Sequence, residues 1–226
     1  MPWAHYIASR DGDRYCADTS TAFHSSSAIA LFSGPWSNIA ASAFNATLVN
    51  RPRDCDSLEA AYQNAIKATQ AEWDRIEASC TDPGDMFGQG AADGGFVFLD
   101  ANVAKCFWVG ATPILHIRDA KIHSQNVPHT LYHMMIAQGA QPTTDQFHTV
   151  KYKSFVHETQ IASSEWSVLP KDRIIILPYR VRPSLLPTIA GIRTSFPKSD
   201  ADEITRLVAP DCQPYAAIVI LSECIP

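Results

Sequence analysis

Apolar and polar positions alternate from Trp3 to Ser9, which predicts a strand. Ala28 to Phe32 (AIALF) is wholly apolar and predicts a short strand. Alanine-rich Asn38 to Leu48 fits a helix. The clearest helix follows: Leu58, Ala61, Tyr62, Ala65, Thr69, Trp73 and Ile76 recur at spacings of three and four, the stripe of a core-facing helix. Asp56 with Glu59 resembles a capping box at its start, and Pro52 closes the loop before it. Thr81 to Asp93 (TDPGDMFGQGAAD) has no periodicity and reads as a loop. Three short β-rich runs come next: Gly95–Leu99, Ala104–Val109 and Ile114–Arg118. Turn residues Asp100-Ala101-Asn102 and Asp119-Ala120 bound them, the pattern of an antiparallel meander.

The second half predicts a helix over His129–Ala137, irregular chain over Gly139–Ser154, and strands at Glu165–Val168 and Arg173–Leu177. Helices follow at Leu185–Arg193 and Asp200–Leu207, then a closing strand at Ala216–Leu221. Helices are segregated from antiparallel strands, which makes an α+β domain. Two sheets face to face with helices outside account for so many short apolar strands. The sequence predicts one domain over 1–226.

Composition narrows the function classes. The 226 residues are 46% hydrophobic and 18% charged, enough for a large core and too apolar for intrinsic disorder. Eighteen basic against 23 acidic residues give a net charge of −5, which argues against a nucleic-acid partner. No apolar run approaches the ~18–20 residues of a membrane span, and Met1 to Arg14 lacks the pattern of a signal peptide. A cytoplasmic location is expected. Cys16, Cys55, Cys80, Cys106, Cys212 and Cys224 form no C-x-x-C pair, so free thiols are expected.

Several segments in order carry a family resemblance. Gly94-Gly95-Phe96-Val97-Phe98-Leu99, Ala104-Lys105-Cys106-Phe107-Trp108-Val109-Gly110 and Ile114-Leu115-His116-Ile117-Arg118-Asp119-Ala120-Lys121 resemble the central meander of the PPM family, the metal-dependent type 2C serine/threonine phosphatases. Leu169-Pro170-Lys171-Asp172-Arg173-Ile174-Ile175-Ile176-Leu177 is similar to its "pro-x-asp-arg-leu-leu-leu" strand. Ala30-Leu31-Phe32-Ser33-Gly34 is similar to its "val-x-asp-gly" strand end, and Tyr215 to Leu221 to its last strand. The resemblance implies a four-layer α/β/β/α sandwich.

It also implies two divalent metals, held by carboxylates, that activate a water against a phosphate ester. Here the implied ligand positions are substituted. The glutamate position falls on Ala17, the bridging aspartate on Ser33, the meander-turn aspartate on Ala111, the aspartate after the isoleucine strand on Tyr179, and the terminal aspartate on Pro214. Asp18 and Gly34 are retained, and Arg180 adds a cation. One carboxylate cannot offset the charge and dehydration cost of two such ions.

The expectation is therefore a pseudophosphatase with no metal cofactor. It would bind a protein partner, a phosphorylated one being among the candidates, in a signalling or regulatory complex. Trp36, Tyr179, Arg180 and Arg182 are the candidate cleft residues, and Lys151, Lys153 and Arg193 could extend a basic patch. The alternative is an active phosphatase using Mg²⁺ or Mn²⁺ on a rearranged set drawn from Asp82, Asp85 and Asp93, or from Asp11, Asp13 and Asp18. A third is an unrelated α+β enzyme. His129 and His133 would share a helix face as zinc ligands do, but no acidic third ligand has a suitable spacing. No nucleophile elbow or phosphate-binding glycine loop occurs.

Overall fold

The computed structural model describes residues 3–9, 28–34, 36–49, 54–80, 92–143, 145–151, 153–156, 160–193, 197–212 and 217–223. Nine strands form two antiparallel sheets, with five α-helices, among these residues. In the first sheet the order is β1 (Trp3–Ser9), β9 (Ala217–Glu223), β8 (Arg173–Ile176), β5 (Ile114–Arg118) and β6 (Lys121–Gln125). In the second it is β2 (Ala28–Ser33), β3 (Asp93–Asp100), β4 (Val103–Val109) and β7 (Ala162–Ser167). The helices are α1 (Ser37–Leu48), α2 (Cys55–Glu77), α3 (Leu131–Ala137), α4 (Leu186–Gly191) and α5 (Pro197–Cys212).

Alternation along β5 and β8 builds the layers. Ile114, Ile174 and Ile176 join the second sheet in one core, which also takes Ala40 and Phe44 of α1 and Leu58, Ala61 and Tyr62 of α2. Leu115, Ile117 and Ile175 turn to the other side and meet Leu186 and Ile189 of α4 and Ile204 and Val208 of α5. The expected sandwich of helices, two sheets and helices is what forms. Arg173 fastens the outer layer, donating to the Ala190 carbonyl at 2.9 Å and pairing with Asp200 at 3.2 Å.

Some boundaries differ from expectation. The cap of α2 is Asp54, which accepts from the Ser57 amide at 2.8 Å; Asp56 lies inside the first turn. β6 escapes the periodicity because it is an edge strand with alternate residues exposed, so it carries little apolar signal. Asp119 and Ala120, both at positive φ, make the tight turn that joins it to β5. β7 starts earlier than expected, with polar Ser163 and Ser164 on an outer strand. α5 extends beyond Asp200–Leu207 at both ends, with Pro197 at its first position and Pro210 in its last turns. Asp93, read as loop, opens β3 and is fully buried. Cys55 and Cys106 are free thiols, and burial pushes the Cys106 thiol well above its ordinary range. Among the described residues no helix is long and apolar enough to cross a membrane.

One charged cluster ties the sheets together. Asp172 receives Arg118 Nη2 at 2.7 Å, the Leu169 amide at 2.8 Å and His116 Nε2 at 2.7 Å. His116 stacks on Trp166 of the opposite sheet, and Arg118 Nη2 donates to the Ser167 carbonyl. Burial alone would raise the Asp172 carboxyl, but hydrogen bonds from Arg118, Leu169 and His116 outweigh it and hold the pKa at about 2. Burial also lowers His116, so the neutral ring donates from Nε2. A depressed carboxylate stabilises the fold above its unfolded pKa near 4 and loses that contribution as pH falls toward its folded value. The stability gap between wild type and Asp172→Asn should therefore shrink by about 2 kcal/mol from about pH 5 to about pH 2. Urea midpoints of the two proteins across that range measure it. A gap that stays constant would show that the carboxylate is not held this way.

Candidate functional site

The site sits where β2 ends, β3 begins and the chain leaves β8. β2 finishes at Ser33, which is 1% exposed and lies opposite Asp93 in the β2–β3 register. After β8 the chain passes Pro178, and the Tyr179 amide donates to Ser33 Oγ at 3.4 Å. Ala111 lies just after β4 and lines the same small cavity as Tyr179. Ser33, Asp93, Ala111 and Tyr179 are thus brought into one cleft. Gly34 follows Ser33 at φ 101°, turning the chain toward α1.

Asp93 is the one fully buried carboxylate there among the described residues, and its partner is Lys151, with Nζ 3.0 Å from Oδ2. Burial raises the Asp93 carboxyl, and the Lys151 ammonium and the Ala111 amide pull it back. The approach of Asp93 also dictates Gly110. At φ 89°, a Cβ on residue 110 would lie 2.0 Å from Asp93 Oδ1, so only glycine fits. The lysine is delivered from the far side of the cleft. Thr130 and Lys151 form a backbone bridge, the Leu131 amide donates to Val150 O at 2.7 Å, and the Phe155 amide donates to Ala92 O at 3.0 Å. Phe155 then plugs into the aromatic cluster of Phe32 and Tyr62.

The same ammonium stands 4.6 Å from the centre of the Tyr179 ring, and the Arg180 guanidinium stands 5.1 Å from it. Arg180 Nε also donates to Tyr179 Oη. Two cations therefore flank the phenol that replaces an implied carboxylate. Arg182 is half-buried near Asp145. Partial burial raises the Asp145 carboxyl, but the Ser184 hydroxyl and amide, at 2.7 and 3.0 Å, outweigh it and, with His148 and Arg182, hold it low.

Trp36 lies elsewhere. It packs edge-on against Trp73 of α2, ring centroids 6.0 Å apart, and its area goes to the helix layer. Arg193 follows α4 and acts electrostatically on Arg173, so it belongs to the opposite helix layer and does not join the patch. The paired-histidine reading fails for a local reason. Thr130 caps α3, so His129 precedes the helix and accepts from the Gly110 amide at 3.2 Å, whereas His133 faces the Thr130 hydroxyl at 2.7 Å. Ala17, Asp18, Pro214 and the alternative carboxylates Asp11, Asp13, Asp82 and Asp85 lie outside the described residues.

The described donors do not fit the two hard cations that the resemblance implies. Such ions need several carboxylate or carbonyl oxygens each. The cleft offers a hydroxyl at Ser33, a methyl at Ala111, a phenol at Tyr179 and one aspartate already paired with an ammonium. Among the described residues no group of three His, Cys, Asp or Glu side chains is placed to hold a metal. The cavity beside Tyr179 is about 20 Å³, room for a water or two. Lys151 and Asp93 each drew attention in the sequence, one as a basic-patch residue and one as a spare carboxylate. Their pairing had no sequence signal, because the irregular segment before Lys151 gives no register.

No family model and no curated protein matches the sequence. Solved structures do match over the whole chain. The Mycobacterium tuberculosis serine/threonine phosphatase PstP/Ppp is 13% identical, with 98% of both chains covered and a TM-score of 0.71. PppA, a key regulatory component of T6SS in Pseudomonas aeruginosa, is 12% identical over 98% of both chains with a TM-score of 0.70. The PPM phosphatase MsPP from Mycobacterium smegmatis, in complex with cacodylate, is 14% identical over 99% of both chains with a TM-score of 0.67. A layered pair of antiparallel sheets shared from end to end with these proteins gives the chain the fold of the PPM serine/threonine phosphatases.

Proposed function

We propose that the chain is a catalytically inactive phosphatase-like module that binds a protein partner within a regulatory complex in the cytoplasm. One observation carries this reading: the Lys151 ammonium, 3.0 Å from buried Asp93, stands in the cleft where the fold's catalysis calls for metal cations. A metal ion there would face an ammonium within a few ångströms and would have to displace it, leaving the lysine uncompensated. Loss of the metals removes both the activated water and the Lewis acid, so no residual hydrolysis follows. Fold and binding surface are separable from chemistry. Arg180 and Lys151 around Tyr179 suit an anionic group of a partner, a phosphoryl group included.

Hydrolysis of p-nitrophenyl phosphate and of a phosphoserine peptide with Mn²⁺ or Mg²⁺ tests the reading. The expected rate equals the buffer background with either metal. Metal-dependent turnover would replace this reading with that of an active phosphatase on a rearranged ligand set.

A further inference from the structure

The sequence of α3, Leu131-Tyr132-His133-Met134-Met135-Ile136-Ala137, carries no acidic or basic residue other than histidine, yet none of its side chains is buried. Leu131 to Met135 are half-buried and Ile136 is 48% exposed, so the helix leaves apolar area facing solvent. Val127, Phe147 and Val150 are 55%, 38% and 47% exposed, so four of the six exposed large apolar side chains among the described residues gather in this one region. Two of them are tied to the start of α3: Val150 O accepts from the Leu131 amide, and Phe147 O accepts from the Val150 amide. A gathered apolar patch on an otherwise well-packed domain marks an interaction surface.

Charge identifies the occupant. From Lys121 to Phe155 the chain has one acid, Asp145, whose carboxylate is engaged by Ser184. The Lys151 ammonium beside the start of α3 is taken up by Asp93, and the adjoining segment brings Arg180 and Arg182, tied in through His148 Nε2 and the Arg180 carbonyl at 3.3 Å. A second copy docking through the same face would set these cations against one another. We infer that α3 and its exposed apolar neighbours form the docking surface for an acidic, amphipathic segment of a partner protein, its apolar side chains on the Met134–Ile136 helix and its carboxylates toward Arg180 and Arg182. Two adjacent methionines suit such a surface, because their unbranched chains re-pack around a ligand. The inference rests on the proposed partner-binding role and names its surface.

The test uses the whole chain and three fluorescein-labelled helical peptides of about 15 residues. One has leucines at helical spacing with glutamates between, one the same leucines with lysines, and one a scrambled glutamate–leucine order. Fluorescence anisotropy should show the ordered acidic peptide binding at least about tenfold more tightly than the other two. Ile136→Glu should weaken it about tenfold with Tm unchanged, and Arg180→Glu should weaken it and favour the lysine peptide. Equal binding of all three peptides, or binding untouched by both variants, overturns the inference. So does a dimer in sedimentation that Ile136→Glu dissociates, which assigns the face to a second copy. Metal-dependent turnover would overturn the inactive reading without altering these isotherms, so the two failures are distinguishable.

Discussion

Lys151→Met is expected to lower stability at pH 7 by ~3–5 kcal/mol, because it leaves the Asp93 carboxylate buried without its counter-charge. The lost contact with the Tyr179 ring adds only ~0.5–1 kcal/mol, so the orphaned carboxylate dominates. The loss has a predicted pH dependence. Burial already raises the Asp93 carboxyl, and removing the ammonium that pulls it back raises it further. A carboxyl whose folded pKa exceeds its unfolded value near 4 favours folding most below that value and progressively less as pH climbs through the folded pKa. The deficit of Lys151→Met should therefore be smallest near about pH 4 and grow toward neutrality. Adding Asp93→Asn should restore most of the stability at pH 7, since a neutral amide needs no counter-ion. Denaturant titrations at several pH values measure all three proteins. A deficit that is flat with pH, or a double variant no better than the single, would show that the pair is not a buried ion pair.

Trp108→Ala should cost ~3–5 kcal/mol. The side chain is 5% exposed, at the end of β4, with Nε1 donating to the Val127 carbonyl at 3.1 Å and the ring tilted against His129. Removing it empties a large core position and strands that carbonyl. Trp108→Phe keeps most of the apolar area and loses the hydrogen bond, for ~1 kcal/mol. A loss under ~1 kcal/mol for the alanine variant would mean that β4 does not face the core as described.

What could be read from the sequence follows from how far each signal reaches along the chain. The strands β3, β4 and β5 were legible because each is short, β-rich and bounded by turn residues, and turns are local chemistry. The single meander expected of them does not form, since β4 pairs with β3 and β7 while β5 joins the other sheet beside β8 and β6. The stripe of α2 was legible because seven positions repeat at helical spacing, five of them, Leu58 to Thr69, buried in the core. The edge strand β6 was not, because water on one side removes the apolar pattern on which the reading depends. The ends of α5 were missed for a related reason: polar residues and Pro210 mask a helix whose backbone continues through them. In the site, the substitutions at Ser33, Ala111 and Tyr179 were readable against a known pattern, and the structure brings all three to one cleft. Trp36 was misplaced because its partner, Trp73, lies on a different helix, and only the packing of α1 on α2 shows where its ring goes. The Lys151–Asp93 pair is a tertiary event. It depends on the return of the chain from α3 along Ala92, fixed by backbone bonds and by the Phe155 plug, none of which has a local signature.

The cleft's cation is a lysine of the chain itself, and crystals soaked in Mn²⁺ put that to the most direct test. Data collected at the manganese absorption edge should give an anomalous difference map without a peak beside Asp93, with the Lys151 ammonium still in contact with its carboxylate. Two neighbouring peaks coordinated by carboxylate oxygens between the sheets, with Lys151 swung away, would contradict it.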